Sequence, residues 1–530
     1  MAWNQVPGMP ELQAQLTEIP ELYQTPANKL DAWIERFLQP NETFNSQVLE
    51  AIDRIATFLK ENCFKTTQVH KVVKGGSSGK GTALKNGSDA DLVVFLSAFQ
   101  CLQDQYKERG SVIAEIREML NKCRKSIAYE LVIDEPRVNL DPKGQLRQPR
   151  SLSFSIRSRK VNEAIDVDVL PAFDILGHVT TDAKPDPMVY ISLIEACAGP
   201  GDFTPCFTEL QRNFVKRCPP KLKSLIRLVK QWYKTYLKTK YKGHSLPHKY
   251  ALELLTIYAW EQGSRAEDFP TEQGFCTIMN LLCQYQELCI YWTTYYDFEN
   301  PIVGNYVREQ LRKPRPVILD PADPTFAVGQ ETRWDLVAAE AAVCLRSACS
   351  KNGLGPIQPW NVPPQTPIQI SVRNISGSLL TMSVSPWVTV SQIKEEIQRK
   401  WSISIYDQRL CIQGLEPGRG LLQDGCTLAD YNVFSNTTVN LLTTASQEIN
   451  LFVRNTDGRT YTFQIQTHIT VGDLKKKIQE RLNVPAPQQR LTYSDRELED
   501  HNPLKYYNIK NESTIFLLLR LRGGGKCDMV

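Results

Sequence analysis

The residue types best suited to phosphate chemistry lie in one short stretch of the chain. Gly75-Gly-Ser-Ser-Gly-Lys-Gly81 follows a strand-like run at Val69–Val73, and Asp89-Ala-Asp91 leads directly into the apolar run Leu92–Leu96. Small Gly and Ser residues allow backbone amides to approach a phosphate closely. Two Asp at i and i+2 of a strand point to one face, where their oxygens suit Mg²⁺. The pattern predicts metal-assisted phosphoryl chemistry on a triphosphate, with two metal ions.

Such a site needs a third carboxylate from a neighbouring strand. Ile165-Asp-Val-Asp-Val-Leu-Pro171 offers Asp166 and Asp168, which point to the same face of a strand. An acid in so apolar a strand is costly unless it is paired or metal-bound. Strand geometry leaves the choice between the two open. The alternative interpretation of the whole pattern is a Gly-rich turn followed by solvated Asp residues.

The elements that position these residues indicate an α+β protein. With 530 residues the chain is too long for one hydrophobic core. Strand-like and helical runs alternate in the first part, and helical periodicity dominates the second. We predict five parts: a lobe of mixed helices and strands at 1–175, a helical lobe at 176–350, a linker at 351–367 with five prolines, and two similar units at 368–443 and 449–524.

The last two units share one plan. Each opens with a strand–turn–strand, continues with an amphipathic helix and closes with a strand. Val390-Ser-Gln-Ile-Lys-Glu-Glu-Ile-Gln398 in the first corresponds to Val471-Gly-Asp-Leu-Lys-Lys-Lys-Ile-Gln479 in the second. Two copies indicate a tandem duplication, because a solenoid needs at least three repeats.

A strongly basic segment lies in the second lobe. Arg212–Lys242 contains eleven Lys and Arg residues and no Asp or Glu. Within it, five cations recur at spacings of three and four, which predicts a helix with one cationic face: Lys223, Arg227, Lys230, Lys234 and Lys238. Such a face suits a triphosphate or an RNA backbone. The alternative is an ordinary solvated helix face.

Composition restricts the remaining classes. The formal net charge of +4 is too small to predict a partner by itself. We find no signal peptide and no run of about 18 apolar residues, and therefore expect no membrane segment. The fourteen cysteines include no C-x-x-C pair. We expect them to be reduced thiols in a cytosolic protein rather than zinc ligands or disulfides.

Beyond these patterns, residues 20–350 resemble the 2′-5′-oligoadenylate synthetases. The motifs that carry the resemblance are Lys71–Leu96, Asp168–Asp174, Cys206–Phe214, Lys221–Lys230, Tyr250–Thr256 and Arg315–Pro324. The resemblance implies a polymerase-β-like nucleotidyltransferase lobe and a helical lobe. It implies a reaction that links AMP from ATP to the 2′-hydroxyl of another adenosine and releases diphosphate.

The resemblance also assigns residues to roles. It identifies Asp168 rather than Asp166 as the third metal carboxylate, beside Asp89 and Asp91. Nucleotide-binding positions carried over in the same way are Ser77, Lys80, Arg227, Lys230 and Tyr250. The family usually has Gln where this chain has Lys249, which we include in the nucleotide site. Because an ammonium cannot accept a hydrogen bond, base recognition is expected to differ.

Double-stranded RNA is the activator that the resemblance implies. Duplex RNA is recognised by shape, through its phosphates and 2′-hydroxyls. Positions that match RNA-contacting residues of the family are Lys60, Lys74, Arg212, Lys216 and Lys221. In the family, RNA binding is coupled to a rearrangement that moves the third Asp towards the other two.

Residues 449–524 resemble ubiquitin without gaps, and residues 368–443 resemble it more distantly. The match ends in Leu519-Arg-Leu-Arg-Gly-Gly524, after which the chain continues to Val530. Thr456 and Thr492 replace two apolar residues of the ubiquitin recognition patch, and Leu518 retains the third. Ubiquitin-like domains have no catalytic constellation, so we expect partners that bind such domains; the alternative is a purely structural role.

The sequence therefore predicts an RNA-activated 2′-5′-oligoadenylate synthetase of the ubiquitin-like-domain subtype. We expect it to act in antiviral innate immunity and the interferon response. The expected location is the cytoplasm, and a nuclear pool is compatible with the sequence. One alternative is a catalytically silent RNA-binding scaffold that signals through its ubiquitin-like domains. Another is a constitutive RNA-tailing nucleotidyltransferase. The intact acid triad favours the first.

Overall fold

The computed structural model describes most of the chain in two compact units, Met1–Thr366 and Pro367–Val530. The described residues are 20–40, 42–65, 67–85, 89–123, 129–134, 149–158, 164–179, 183–197, 199–353, 355–414, 420–444 and 448–519. Within these ranges, no helix is long and apolar enough to cross a membrane.

The first lobe is built on a five-stranded mixed sheet in the order β1-β2-β5-β4-β3. Its strands are β1 (Val69–Lys74), β2 (Asp89–Leu96), β3 (Tyr129–Ile133), β4 (Leu152–Ser158) and β5 (Ala164–Ala172). Central β2 runs antiparallel to β1 and parallel to β5, and β4 runs antiparallel to both β5 and β3.

Two long helices cover one face of this sheet. Helix α1 (Leu30–Phe37) precedes α2 (Glu42–Glu61), a five-residue helix α3 (Gly76–Lys80) follows β1, and α4 (Leu102–Cys123) follows β2. Apolar side chains of α2 and α4 form one core with Ala90, Leu92 and Val94 of β2. Because side chains alternate along a strand, Asp89 and Asp91 lie on the opposite face.

The second lobe is mostly helical. Its helices are α5 (Pro187–Ala196), α6 (Thr208–Lys216), α7 (Pro220–Trp232), α8 (Lys249–Gln262), α9 (Thr271–Cys283), α10 (Pro301–Leu311) and α11 (Trp334–Cys344). Two pairs of short strands are also present. Strand β6 (Cys289–Ile290) pairs with β7 (Val317–Ile318), and β8 (Lys351–Asn352) pairs with β9 (Gly355–Pro356).

The basic segment departs from the single cationic face that we predicted. Helix α7 ends at Trp232, and a π-helical segment, Tyr233–Lys238, follows it directly. Lys230 is buried and Arg227 is half-buried, whereas Lys234 and Lys238 are exposed. Some of these cations are therefore buried and others are exposed. The buried ones lie where α7 packs against the loop that follows α3, whose carbonyls accept hydrogen bonds from Arg227 and Lys230.

The proline-rich segment also differs from the predicted linker. Trp360 donates its backbone N–H to Thr277 Oγ1 at 2.8 Å and its indole N–H to Gln273 Oε1 at 3.2 Å. The Tyr258 hydroxyl donates to the Pro363 carbonyl at 2.8 Å. Residues 355–366 thus complete the packing of the helical lobe, and the compact unit ends at Thr366.

The second unit contains two ubiquitin-like folds. The first comprises β10 (Ile368–Asn374), β11 (Leu379–Val384), α12 (Val390–Trp401), β12 (Gln408–Ile412) and β13 (Thr437–Thr443). The second comprises β14 (Glu448–Arg454), β15 (Thr460–Gln466), α13 (Val471–Leu482), β16 (Gln489–Tyr493), β17 (Arg496–Glu497) and β18 (Thr514–Leu519). In each, the first and last strands pair in parallel, as in a β-grasp fold.

Equivalent buried contacts support the duplication. Buried Gln408 donates to two backbone carbonyls, those of Lys394 and Ile403, at 2.9 and 2.8 Å. Gln489 does the same to Lys475 and Val484, at 2.9 and 2.7 Å. The two domains therefore share internal hydrogen bonds as well as an order of elements.

Candidate functional site

The glycine–serine loop is held against the start of β2. Gly75 donates its N–H to the Asp91 carbonyl at 2.7 Å. Gly76 has φ +64°, and a Cβ there would lie 2.9 Å from the Asp91 nitrogen and 3.0 Å from the Asp89 carbonyl oxygen. Only glycine fits this approach without displacing the backbone of β2.

The two serines of the loop bind Asp89. The Ser77 hydroxyl donates to the Asp89 carboxylate, and the Ser78 hydroxyl donates to the Asp89 carbonyl at 3.1 Å. Ser77 is buried. The predicted phosphate loop and the predicted metal carboxylates therefore form one hydrogen-bonded assembly.

The parallel pairing of β2 and β5 brings the carboxylates together. Asp91 is the register partner of Asp168, and Asp89 is the register partner of Asp166. Partners in adjacent strands point to the same face, so four acidic side chains share this surface. Asp168 is half-buried and lines the same cavity as Asp89 and Asp91, whereas Asp166 is exposed.

Strand β4 supplies a hydroxyl to each Asp of β5. Ser153 Oγ donates to the Asp168 carboxylate, and Ser155 Oγ donates to the Asp166 carboxylate at 2.8 Å. These serines lie opposite their partners in the β4–β5 register. We did not identify Ser153 from the sequence; its alternate-residue spacing with Ser155 is the signal that could have indicated it.

Neighbouring carboxylates of the cluster differ in proton affinity. Burial, with the charges of Asp89 and Asp168, raises the pKa of Asp91 to about 6. For Asp89, burial acts upward, but the cations Lys230 and Lys249 and the Ser77 hydroxyl lower the pKa overall. A pair of close carboxylates with unequal proton affinity is typical of functional sites.

The carboxylate oxygens of the cavity are of the ligand type that magnesium prefers. Asp89, Asp91 and Asp168 present hard oxygen ligands to one cavity, and their mutual repulsion favours a bound cation. In the part of the chain that the structure describes, no three His, Cys, Asp or Glu side chains are gathered closely enough to enclose a metal ion. The carboxylates share a face without forming a closed ligand cage.

These groups line a cavity of about 770 Å³, which is within the usual range for small-molecule sites. Of the predicted nucleotide-binding residues, five line it: Ser77, Lys80, Lys230, Lys249 and Tyr250. Arg227 is not among the lining residues; it donates to the backbone carbonyls of Gly81 and Ala83, at 2.7 and 2.9 Å.

Two of the lysines that line the cavity, Lys80 and Lys230, are engaged by protein groups. Lys80 Nζ lies 2.8 Å from Glu253 Oε2 and 4.0 Å from the centroid of the Tyr250 ring. Lys230 donates to the Thr82 carbonyl at 3.1 Å. Burial lowers the pKa of Lys230, and Glu253 and Asp89 act in the opposite direction. These ammonium groups sit beside the carboxylates but are held by the protein.

Glu253 is a further site residue that we did not identify from the sequence. It is buried, pairs with Lys80 and accepts from Thr82 Oγ1 at 3.0 Å. An acid inside the apolar helix α8 is costly unless it is paired. Its position within an otherwise apolar run was the available signal.

The five predicted RNA-contacting residues lie on neighbouring elements. Helix α2 packs on β1, and α6 packs on both β1 and α3. Exposed Lys60 and Lys216 lie at the ends of α2 and α6. Lys74 pairs with Asp53, and Arg212 lies 3.6 Å from Glu209. Lys221 Nζ lies 2.8 Å from Asp31 Oδ2, so three of the five cations have acidic partners.

Comparison with known proteins agrees with this architecture. Residues 55–162 match a nucleotidyltransferase domain, and residues 183–365 match the C-terminal domain 2 of 2′-5′-oligoadenylate synthetase 1. Residues 370–446 and 451–522 match the ubiquitin family.

Similar proteins match along most of the chain. It is 43% identical over 510 residues to 2′-5′-oligoadenylate synthase-like protein 2 of Mus musculus, covering 94% of this chain and 98% of that protein. It is 40% identical over 508 residues to the mouse synthase-like protein 1, covering 94% and 96%. It is 50% identical over 362 residues to 2′-5′-oligoadenylate synthase 2 of Homo sapiens, covering 66% of this chain and 49% of that protein. The chain therefore belongs to the 2′-5′-oligoadenylate synthase family.

Proposed function

We propose that this protein synthesises 2′-5′-linked oligoadenylates from ATP when double-stranded RNA binds to it. One observation carries the proposal: Asp89, Asp91 and Asp168 face one cavity beside the glycine–serine loop. A binding scaffold has no need for three carboxylates that repel one another at such a place. Membership of the synthase family supports the same reaction class.

In the proposed reaction, the 2′-hydroxyl oxygen of an acceptor adenosine bonds to the α-phosphorus of ATP and gives up its proton to solvent. The bond from the α-phosphorus to the oxygen that bridges it to the β-phosphorus breaks, and diphosphate leaves. Asp89, Asp91 and Asp168 would hold two Mg²⁺ ions, which neutralise the triphosphate charge when bound. Ser77 and the backbone of the loop orient the phosphates. Lys80 and Lys230 would exchange their protein partners for phosphate oxygens, and the Tyr250 ring would lie near an adenine.

The proposed activator binds along the surface formed by α2, α6 and the start of α7. Duplex RNA phosphates would replace the acidic partners of Lys74, Arg212 and Lys221, and would contact Lys60 and Lys216 directly. The pairs of Lys74 with Asp53 and Lys221 with Asp31 have largely exposed carboxylates, and ion pairs exposed to solvent contribute only about 0–1 kcal/mol each. RNA binding is thereby coupled to the elements that frame the cavity.

A catalytically silent RNA-binding scaffold is the second candidate. It is supported by the ion pair between Lys249 and Asp89 and by the engagement of Lys80 and Lys230. In this case the ubiquitin-like domains carry the signal. Their partners would meet exposed Phe516 and Leu518 on β18 beside Thr492. Gly524 lies outside the described residues.

The deciding experiment uses purified full-length protein with ATP and Mg²⁺, with and without double-stranded RNA. We expect oligoadenylates only when RNA is present. The products are separated by anion-exchange chromatography and should resist a nuclease that cleaves only 3′-5′ phosphodiester bonds. Oligoadenylate made without RNA would contradict activation by RNA, and elongation of the added RNA would support the RNA-tailing enzyme. Intact RNA binding without product would support the scaffold.

The proposed setting is antiviral innate immunity, within an interferon response and in the cytoplasm. The requirement for double-stranded RNA supports this setting, because such RNA accumulates during viral replication. Fractionation of interferon-treated cells, with an antibody to this chain, tests both induction and location. A protein confined to the nucleus at all times would contradict the cytoplasmic assignment.

A further inference from the structure

Lys249 lines the cavity and forms an ion pair with Asp89, one of the metal carboxylates. Its Nζ lies 3.6 Å from Asp89 Oδ2, and the two side chains are 42% and 46% exposed. The other oxygen of that carboxylate, Oδ1, accepts the hydrogen bond of Ser77. Any cation that approaches Asp89 therefore meets a carboxylate that already has a cationic partner.

The position of Lys249 in its helix is unfavourable unless something compensates it. It is the first residue of α8, after the N-cap His248, which makes no side-chain capping bond. The positive end of the helix dipole disfavours a cation in the first turn. Asp89 offsets that cost, which ties the α8 terminus of the helical lobe to β2 of the nucleotidyltransferase lobe.

We propose that Lys249 is an exchangeable counter-ion of Asp89 that makes metal binding depend on the nucleotide. Without nucleotide, its ammonium competes with Mg²⁺ for the carboxylate. When ATP enters, the triphosphate offers the ammonium a new anionic partner, and Asp89 is released to the metal. The family's usual Gln is neutral and cannot compete in this way.

The geometry supports the exchange. Lys249 and the phosphate-loop residues Gly76 and Ser77 line the same cavity, so phosphates held by that loop lie within the space that the lysine borders. A lysine side chain is a flexible point charge and can change partners without moving its helix. The inference rests on the proposed metal and nucleotide site, but not on turnover.

Two binding measurements on the full-length, nucleotide-free protein test this inference. In the first, free Mn²⁺ is followed by electron paramagnetic resonance during titration, with Asp89→Asn as the variant that defines binding at this site. We expect Lys249→Gln to tighten Mn²⁺ binding by about three- to fivefold, as removal of one exposed ion pair allows. The matched control is Lys242→Gln, which removes a charge from the same cavity lining.

In the second measurement, α,β-methylene-ATP is titrated calorimetrically in the presence of EDTA. We expect Lys249→Gln to weaken this metal-free binding by about threefold, because the phosphates lose one cationic partner. Tighter metal binding with weaker nucleotide binding cannot come from partial unfolding, which would weaken both.

The outcomes separate the inference from the proposed function. If Lys249→Gln and Lys242→Gln shift Mn²⁺ binding equally, or if neither shifts it, the counter-ion role is wrong even in an active enzyme. If the opposite shifts occur but the wild type makes no oligoadenylate, the exchange stands and the synthetase activity fails.

Discussion

At the scale of single residues, the site depends on which acids share a cavity and which meet solvent. Asp166 and Asp168 are two residues apart on one strand face, and each accepts a serine hydroxyl. Each lies opposite a carboxylate of β2 in the strand register, Asp166 opposite Asp89 and Asp168 opposite Asp91. Only Asp168 lines the cavity, whereas Asp166 is exposed, so access to the cavity distinguishes the two.

The first prediction concerns the metal carboxylates. Replacement of Asp89 or Asp168 by Asn should lower oligoadenylate synthesis at least about a hundredfold, because a preorganised charged group is lost from the reacting centre. RNA affinity should be unchanged. The matched control is Asp166→Asn, two residues before Asp168 on the same strand face. This variant should retain activity within about threefold.

If Asp166→Asn abolishes synthesis while Asp168→Asn does not, the assignment of the third carboxylate is reversed. Product formation from each variant is measured with saturating ATP and RNA, and RNA binding is measured separately by fluorescence anisotropy. Loss of both activities in one variant would indicate misfolding rather than a catalytic effect.

A second prediction concerns Asp320, a buried acid of the helical lobe. It accepts from Gln211, and from the backbone N–H of Ala322 at 2.8 Å. Burial and the nearby Asp323 raise its pKa from 3.8 to about 7. Between these values the folded chain holds a proton that the unfolded chain releases, so this group makes stability fall as pH rises from about 4 to 7.

Asp320→Asn should therefore flatten the pH dependence of stability, with a difference from wild type on the order of 1 kcal/mol or more between pH 5 and 8. Gln211 can reverse its amide to accept from the new side chain. Thermal midpoints across this pH range provide the measurement. Asp335→Asn, at an exposed position, serves as control and should parallel the wild type.

At the scale of elements, adjacent helices and strands assemble a surface that no single helix provides. The predicted RNA contacts come from α2, β1, α6 and α7, and their cations are partly paired with acids of the same surface. Surface ion pairs of this kind contribute little to the free energy of folding, so the cations can exchange their protein partners for phosphates. The face is therefore a composite, and only part of it lies in the basic segment.

The third prediction tests that surface. Arg212→Glu with Lys216→Glu should weaken binding of duplex RNA at least about tenfold and reduce the slope of affinity against salt, because fewer counterions are released. Anisotropy titrations at several salt concentrations give both quantities. Lys400→Glu with Lys477→Glu changes the net charge equally on exposed helices of the second unit and should have little effect. An unchanged salt slope would remove Arg212 and Lys216 from the interface.

A fourth prediction concerns the proline-rich segment. The Trp360 ring packs across Gly274, where a Cβ would lie 2.9 Å from the ring, and edge-on to Phe269 at 5.3 Å. Trp360→Ala should destabilise the first unit by about 2 kcal/mol through lost packing and the loss of the indole hydrogen bond to Gln273. Denaturant unfolding measures this loss. Gln358→Ala, at an exposed neighbour, should change stability by less than about 0.5 kcal/mol; equal effects would mean that the segment does not pack there.

At the scale of the whole molecule, the chain consists of two compact units with separate cores. The first contains the candidate site, and the second contains two ubiquitin-like folds with their own buried clusters. Within the second unit, Lys505 Nζ donates to the Tyr406 carbonyl at 3.0 Å and lies 3.2 Å from Asp407 Oδ1. The ubiquitin-like pair thus has contacts of its own.

The fifth prediction follows from where the first unit ends. A chain that stops at Thr366 should have a melting temperature within about 2 °C of that of the first unit in the full protein. It should also retain RNA-dependent synthesis. A chain that stops at Ser350 lacks Trp360 and the bonds to Pro363 and Pro364, and should melt several degrees lower. Equal stability of the two truncated chains would contradict a structural role for residues 351–366.

Several features were accessible from sequence because they depend on local order. The alternation of apolar and acidic residues places Asp89 and Asp91 on one strand face, and the glycine–serine spacing indicates a close backbone approach. The duplicated helix motif likewise predicts two similar folds. In each case the relevant residues are neighbours in the chain, so periodicity alone reports their relative orientation.

Other features arise only from contacts between residues far apart in the chain. The Asp91–Asp168 register, the Ser153 bond and the Lys80–Glu253 pair each join separate elements. The burial of Lys230 and the packing of Trp360 depend on which helix lies beside them. Sequence by itself determined the types of chemistry and the order of the folds. Tertiary structure decided which charges meet, because strand register and helix packing set those distances and no local pattern encodes them.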